Sequence, residues 1–466
     1  MLTMLEVHLG EETIQGLRAG LRGVLLRPED EGYDAIRQVW NGRVDRKPAL
    51  IARCAGVADV IAAVHFAREH RIELSVRGTG HNAAGYAVSD GGLMIDLSPM
   101  KGIRIDPARR TARVQPGVTW GEFDHEAQAF GLATTGGRIS TVGVGGLTLG
   151  GGYGWLMRKC GLAIDNLLSV DVVTADGSFV TASEAENSDL FWGVRGGGGN
   201  FGIATSFEFR LHRIGPIVTG GMAFYPAAQA KEVLQFYREF MGNAPDELAA
   251  LFNFLFVPPA PFVPPHLRGV RVVAIAVCHF GSLEEAARDL APLREIGPPL
   301  LERIKPRPYT AVQRMYDAAG EFGPHVYGRS GHLAGLGDNV VDILVDHAAQ
   351  MTSPMSIVMI SPLGGAVGRV GDEDTAFSYR QTAYDYAIDS VWTDPHDSDR
   401  HIAWTHDFWE ALRPFSKGVY VNELGDEGEP RVREAYSPAT YQRLVALKKK
   451  YDPDNVFHLN QNIKPE

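Results

Sequence analysis

The chain reads as an α+β protein in two parts, and three observations lead there. Short strand-like runs and helices fill the first 215 or so residues, two glycine-dense segments punctuate them, and beyond Gly215-Pro216 the texture changes to longer strands and amphipathic helices. At 466 residues the chain exceeds one ordinary core, because domains run to about 100 to 200 residues. With 45% hydrophobic and 22% charged residues it has the composition of a folded globular protein.

In chain order, the opening MLTMLEVHLGEETIQG has no basic n-region, apolar h-region or small-residue cleavage site. No run of about 18 apolar residues follows anywhere, so a cytoplasmic protein without a membrane span is expected. Residues 57–70, VADVIAAVHFAREH, set Val57, Val60, Ile61 and Val64 on one helical face, and IELSV after it reads as a strand. LMIDL, GIRID and TARVQPG are short strands broken by Gly and Pro, and TWGEFDHEAQAFG is a helix. SVDVVTADGSFVTAS predicts a hairpin about Asp176-Gly177. ATSFEFRLHRIG alternates, with Phe207, Phe209 and Leu211 on one face and Glu208, Arg210 and His212 on the other.

Past Gly215-Pro216, AQAKEVLQFYREFMG and LEEAARDLAPLREIG are helical, while VRVVAIAVCHFG and SIVMISPLGG are strands. Hairpin-length gaps among them predict an antiparallel sheet covered by helices on one side. VPPAPFVPPH is a rigid loop. The terminal SPATYQRLVALKKKYDPDN is a helix opened by Ser437-Pro438, its three lysines set against the C-terminal end of the dipole.

Net charge and cysteines exclude several functions. A formal charge of -11 argues against a nucleic-acid partner, which needs Lys and Arg to displace counterions. Cys54, Cys160 and Cys278 stand far apart with no CxxC, so neither a disulfide framework nor a metal site is expected.

The glycine segments carry the chemistry. GGRISTVGVGGLTLGGGYG, residues 136–154, has glycine at about every second position, and glycine weakens a helix or strand by roughly 0.5–1 kcal/mol per position. Interleaved Val142, Val144, Leu147 and Leu149 argue against a flexible loop and for backbone lining a ligand, whose phosphates or ring oxygens meet successive N–H groups. VRGGGGNFG matches GxGxxG at Gly197, Gly199 and Gly202, yet a strand should precede that fingerprint and a helix follow it. Here SDLFWGVR precedes and the alternating ATSFEFRLH follows, which argues against a Rossmann nicotinamide site, and no GxxxxGK[ST] exists.

SVRGTGHN, VQPGVTWGE, TVGVGGLTLGGGYG, RKCGLAIDNL, DLFWGVRGGGGNFGI and YDPDNVFHLNQNIKP together resemble the bacterial berberine-bridge-enzyme-like flavoproteins of the vanillyl-alcohol-oxidase superfamily. The match runs from about residue 45 to the C-terminus and is densest over 75–210. GRVDRKPALIARC is similar to the 6-hydroxynicotine oxidases of this family. The resemblance implies a two-subdomain PCMH-type FAD-binding fold, residues 1–215 and 418–466 with its core at about 47–215, and a substrate-binding domain at 216–417. It implies that His81 is bonded to the 8α carbon of FAD, with Thr79 standing where glycine is usual. Chemically the tether needs a neutral imidazole nitrogen.

Many members add a cysteinyl tether in G-x-C-P-T-V-G; here the stretch is GRISTVG, with Ile139 at the cysteine and Ser140 at the proline. One covalent bond and no second is therefore expected, hence a more closed site and a smaller substrate. By the same resemblance Arg77, Gly78, Thr79, Gly80, His81, Asn82, Gly117, Val142, Gly143, Gly146, Gly150, Gly151, Gly152, Gly154, Gly202, Ile203 and Asn460 bind the cofactor. Tyr153, Tyr420 and Asn422 are the catalytic candidates; a core tyrosine, or sheet packing with a backbone hydrogen bond, is the competing reading for them. The floor strand SIVMISPLGG offers Met359 and Ser361 on one face and no carboxylate, which raises the tyrosines, provided a cation or the flavin depresses their pKa of about 10.

Val142 matches a position where valine resembles the oxidases and leucine the dehydrogenases. The resemblance thus implies an FAD-dependent oxidase that oxidises a small alcohol, amine or phenolic substrate by hydride transfer to flavin N5, with dioxygen as acceptor and hydrogen peroxide as product. An FAD-dependent dehydrogenase with another acceptor, or a flavin-binding protein without turnover, is the alternative. Monomer and homodimer are both open.

Overall fold

The parallel strands Leu50–Arg53, Leu93–Asp96 and Leu74–Arg77 lie side by side, and Val24–Leu26 adds antiparallel to the first of them. In this computed structural model, which describes residues 9–261 and 263–466, the helix Val57–His70 covers that sheet. Val60 and Val64 of the predicted face are fully buried, and Val57 and Ile61 partly so. The first eight residues of the opening stretch, and Phe262 of the proline-rich loop, lie outside the described residues. Among the described residues no helix is long and apolar enough to cross a membrane.

A five-stranded antiparallel sheet follows, in the order Ile103–Asp106, Thr111–Val114, Ile203–Arg210, Leu167–Val173, Phe179–Ser183. The predicted alternation holds: Phe207 and Phe209 are buried completely while Arg210 is exposed. The Asp176-Gly177 hairpin joins the last two strands of the order. The helix Trp120–Gln128 starts at a capping box, Thr119 accepting from the Glu122 N–H and the Glu122 side chain reaching back to the Thr119 N–H.

Beyond Gly215-Pro216 the chain builds an eight-stranded antiparallel sheet. Its inner order is Ile217–Pro226, Arg271–His279, Leu248–Phe256, Ile357–Pro362, Tyr384–Trp392, His325–Leu333. Side chains alternate across a strand, and here the alternation separates two faces. Phe252, Val358, Ile360, Tyr386 and Ile388 pack against helices Ala230–Gly242, Asp338–Ala348 and Ser398–Leu412. On the opposite face, Leu248–Phe256 and Arg271–His279 present Ala249, Leu251, Ala276 and Cys278, and the last three strands of the order carry polar groups. There His332 lies beside Asp385 and Asp385 beside Ser361; Ser330 lies beside Ala387, Ala387 beside Met359 and Met359 beside Asn253; Gly328 lies beside Asp389 and Asp389 beside Ile357.

The first glycine segment contains a short helix, Val144–Gly150. Lys448 stands in the last turn of the terminal helix Pro438–Tyr451, with Lys449 and Lys450. It is fully buried, donating to Asp452 Oδ2 at 2.6 Å and to the carbonyls of Asn200 at 2.8 Å and Phe457 at 2.9 Å, which ties the second glycine loop to the C-terminal segment.

Candidate active site

A cavity of about 770 Å³ opens between the glycine segments and the polar part of the eight-stranded sheet. Its walls come from Gly78–Asn82, from Val142, Gly143, Gly145 and Gly146, from Gly197–Asn200, from Leu459–Gln461 and from Tyr420–Glu423. Sheet residues Ser330, Ile357, Met359, Ala387 and Asp389 close the other side.

His81 follows the strand Leu74–Arg77 and is held by rings. Trp40 stacks on it at 6.0 Å between centroids, and the edge of Phe322 meets it at 5.3 Å. Its Nε2 is buried without a hydrogen-bond partner. Burial, and after it the Arg77 charge, hold its pKa down to about 4 against the pull of the Thr141 backbone, so the imidazole is neutral at physiological pH. A neutral ring on the wall of a glycine-lined cavity suits covalent attachment to an electrophilic carbon.

The cradle fits a flat dinucleotide as well. A methyl on Gly146 or Gly199 would meet no protein atom within 4 Å, so these backbones stand bare toward the cavity they line. At Gly143 a methyl would come to 2.7 Å from Thr79 Oγ1.

Of the residues predicted to bind the cofactor, Gly78, Thr79, Gly80, His81, Asn82, Val142, Gly143, Gly146, Gly202, Ile203 and Asn460 line the cavity. Arg77, Gly117, Gly150, Gly151, Gly152 and Gly154 do not; they stand behind the wall. Arg77 Nη1 is bound to Asp96 Oδ1 at 3.1 Å. The glycines are small because other chain segments press on them: Leu97 O on Gly117, Asn422 on Gly150, Phe377 and Tyr420 on Gly151, Ala163 on Gly152, and Gly136 O on Gly154. Ile139 lines the cavity, whereas none of the three cysteines does.

The catalytic candidates Tyr153, Tyr420 and Asn422 come together at the cavity wall. The two phenol rings stack at 4.0 Å. Tyr420 Oη accepts the Gly152 N–H at 2.8 Å and the Asn422 amide at 2.7 Å. Asn422 also donates to Leu147 O at 3.0 Å. Tyr153 Oη shares a hydrogen bond with His332 Nε2 at 2.9 Å. Burial pushes both phenols above their ordinary range, which disfavours a tyrosinate at either.

Sequence reasoning passed over the titratable groups that surround them: Arg138, His332, Asp385, Asp389 and Glu423. The floor strand indeed has no carboxylate, but its neighbour YDYAIDSVW places Asp385 and Asp389 four apart on the same face. That spacing was readable; that the face is turned to the cavity was not. Burial raises Asp389 to about 6 and Asp385 to about 7, and lifts Glu423 well above the carboxylate range. Burial also lowers His332 to about 3. The site can therefore accept a proton near neutral pH.

Comparison with known proteins agrees with this geometry. A model described as an FAD binding domain matches residues 48–183, and one described as berberine and berberine like matches residues 419–464. The (R)-6-hydroxynicotine oxidase of Paenarthrobacter nicotinovorans is 32% identical, covering 96% of this chain and 97% of its own. An FAD-linked oxidoreductase of Dictyostelium discoideum is 31% identical over 96% of this chain and 95% of its own. Among solved structures, 6-hydroxy-D-nicotine oxidase from Arthrobacter nicotinovorans superposes with a TM-score of 0.87 at 30% identity, covering all of both chains. Glucooligosaccharide oxidase from Acremonium strictum, described with a 6-S-cysteinyl, 8α-N1-histidyl FAD, gives 0.86 at 25% identity over 97% of this chain and 99% of its own.

Proposed function

The chain belongs to the berberine-like family of FAD-linked oxidoreductases, and on that premise we propose that it is an oxidase holding FAD through His81 alone and acting on a small alcohol, amine or phenol. The observation that carries the reading is the neutral ring of His81 on the wall of a glycine-lined cavity. Ile139 at the wall, with no cysteine beside it, supports a single tether. In this reading residues 1–215 and 418–466 bind the cofactor and 216–417 supply the substrate side.

When bound, FAD supplies a two-electron acceptor for the C–H bond being oxidised. The protein does the rest. Asp389, ionising near pH 6, accepts the proton of the substrate's O–H or N–H. Asn422 and the Gly152 N–H fix the Tyr420 hydroxyl, and Tyr420 in turn fixes Tyr153 by stacking. Val142 at the cavity wall supports dioxygen as the electron acceptor, reduced to hydrogen peroxide.

The test begins with acid precipitation. Yellow colour should stay with the protein, and His81→Ala should release it all into the supernatant. Reduced enzyme exposed to air should regain its colour within seconds and form peroxide; colour that stays bleached for minutes would assign it to the dehydrogenases.

A further inference from the structure

The plane of the His81 ring is not fixed by its own bonds, because the torsion that turns a histidine ring is broad and roughly two-fold. Neighbours must set it. Trp40, half-buried at the cavity wall, lays its indole on the imidazole with 28° between the planes, and Phe322 meets the ring at 83°. At 6.0 and 5.3 Å between centroids, both lie within the range where aromatic rings orient one another. A face contact and an edge contact nearly at right angles leave one plane for the imidazole.

The two rings are themselves held. The Trp40 backbone N–H donates to Gly80 O at 2.9 Å, next to His81 in the chain, and its indole Nε1 donates to Ala319 O at 2.9 Å. The turn Asp317–Gly320, which leads to Phe322, is anchored on the first glycine segment. There Asp317 accepts from the Ser140 N–H at 2.8 Å and from the Ser140 hydroxyl at 2.7 Å. A methyl on Gly320 would come to 2.5 Å from Ile139 Cγ2 and to 3.7 Å from His81 Cε1, so the turn is pressed close to the imidazole. Residues from three distant parts of the chain thus converge on one ring and fix it from two sides.

We propose that Trp40 is the positioning residue for flavin attachment: its indole face, backed by the Phe322 edge, holds the His81 imidazole in the plane from which a ring nitrogen reaches the 8α carbon of FAD. This goes beyond the proposed tether at His81 and rests on it. Attachment joins that nitrogen to the 8α carbon. One 8α C–H and the imidazole N–H give up two protons, and the electron pair of the C–H passes to the flavin ring, from which dioxygen takes it, with two protons, as hydrogen peroxide. The neutral ring keeps the nitrogen lone pair that the bond needs. Trp40 takes no part in these transfers. It contributes orientation, and a misplacement of about 1 Å costs a reaction about 10²-fold in rate.

The experiment follows attachment, not turnover. Full-length protein from riboflavin-limited cells is mixed with excess FAD in air and sampled over time. Bound flavin is read from the absorbance of gel-filtered protein, and attached flavin from the absorbance of the redissolved acid precipitate. Trp40→Leu should bind as much FAD per chain as the parent yet attach it roughly tenfold or more slowly. Trp40→Phe, which keeps a ring face, should return most of the rate, and Phe322→Leu should lose a smaller part of it.

Attachment at the parent rate in Trp40→Leu would overturn the proposal. So would equal slowing in Trp40→Phe and Trp40→Leu, since the ring face would then not be what matters. Bound flavin that falls in step with attached flavin would also overturn it, by making Trp40 part of the cradle. Variants are compared only where melting temperature matches the parent. Should Trp40→Leu fold poorly, Phe322→Leu serves in its place, and attachment at the parent rate there overturns the proposal equally. A parent that binds FAD and releases all of it into acid would refute the tether at His81 itself, before any variant is made.

Discussion

At Asp389 the direction of a pH effect can be worked out from its surroundings. Its charge acts on Asp385 and Glu423, burial sets its carboxyl at about 6, and only the ionised form accepts a proton. The rate of flavin reduction should therefore rise with pH through about 6 and level off above, in anaerobic stopped-flow traces. Asp389→Asn should remove that acid limb and slow the step by roughly 10²–10⁴-fold, the usual worth of a general base. An unchanged profile in the variant would move the role elsewhere. The chemistry of His81 was legible in the sequence because a motif surrounds it. That of Asp389 was not, because an aspartate in an alternating strand is ordinary until its face is known.

Elements show why density of glycine misleads. In GGRISTVGVGGLTLGGGYG some glycines face the cavity and others are pinned against neighbouring backbone, and one-dimensional spacing treats them alike. Two substitutions separate the roles. Gly146→Ala lies within the helix Val144–Gly150 with open space before it, so the apo fold should be kept or stabilised by up to about 1 kcal/mol, while flavin incorporation falls. Gly154→Ala would drive a methyl into Gly136 O and should leave little soluble protein. Flavin absorbance per chain and thermal melts distinguish the two outcomes.

The terminal helix offers a third case. Lys448→Met would strand buried Asp452 and two carbonyls, with an expected loss of about 3–5 kcal/mol in urea unfolding. Nothing in LKKKYDP tells that one lysine of three is buried, since that depends on the Asn200 and Phe457 carbonyls arriving from elsewhere.

For the molecule as a whole, the helices Trp120–Gln128 and Tyr309–Gln313 pack together and bury Asp124 beside Gln313. Burial raises that carboxyl to about 8, so the folded protein keeps the proton that the unfolded chain gives up above about pH 4. The unfolded state thus binds fewer protons across this window, and stability falls as pH rises from about 4 to about 8. Asp124→Asn should flatten that decline, seen as a smaller drop in melting temperature between about pH 5 and pH 8. An equal drop in the variant would count against the assignment.

What the amino-acid order determined by itself was everything local. The period of 57–70, the alternation of 203–211, the Asp176-Gly177 hairpin and the motif around His81 each depend on residues within one element, where sterics and burial of one face leave a single outcome. Only the tertiary structure decided which glycines stand bare before the cavity, which lysine is buried, and that Arg138 and Asp389, some 250 residues apart, line one cavity. Those facts follow from strand register and packing between distant segments, and the free energy of such contacts belongs to pairs of segments that no single stretch contains.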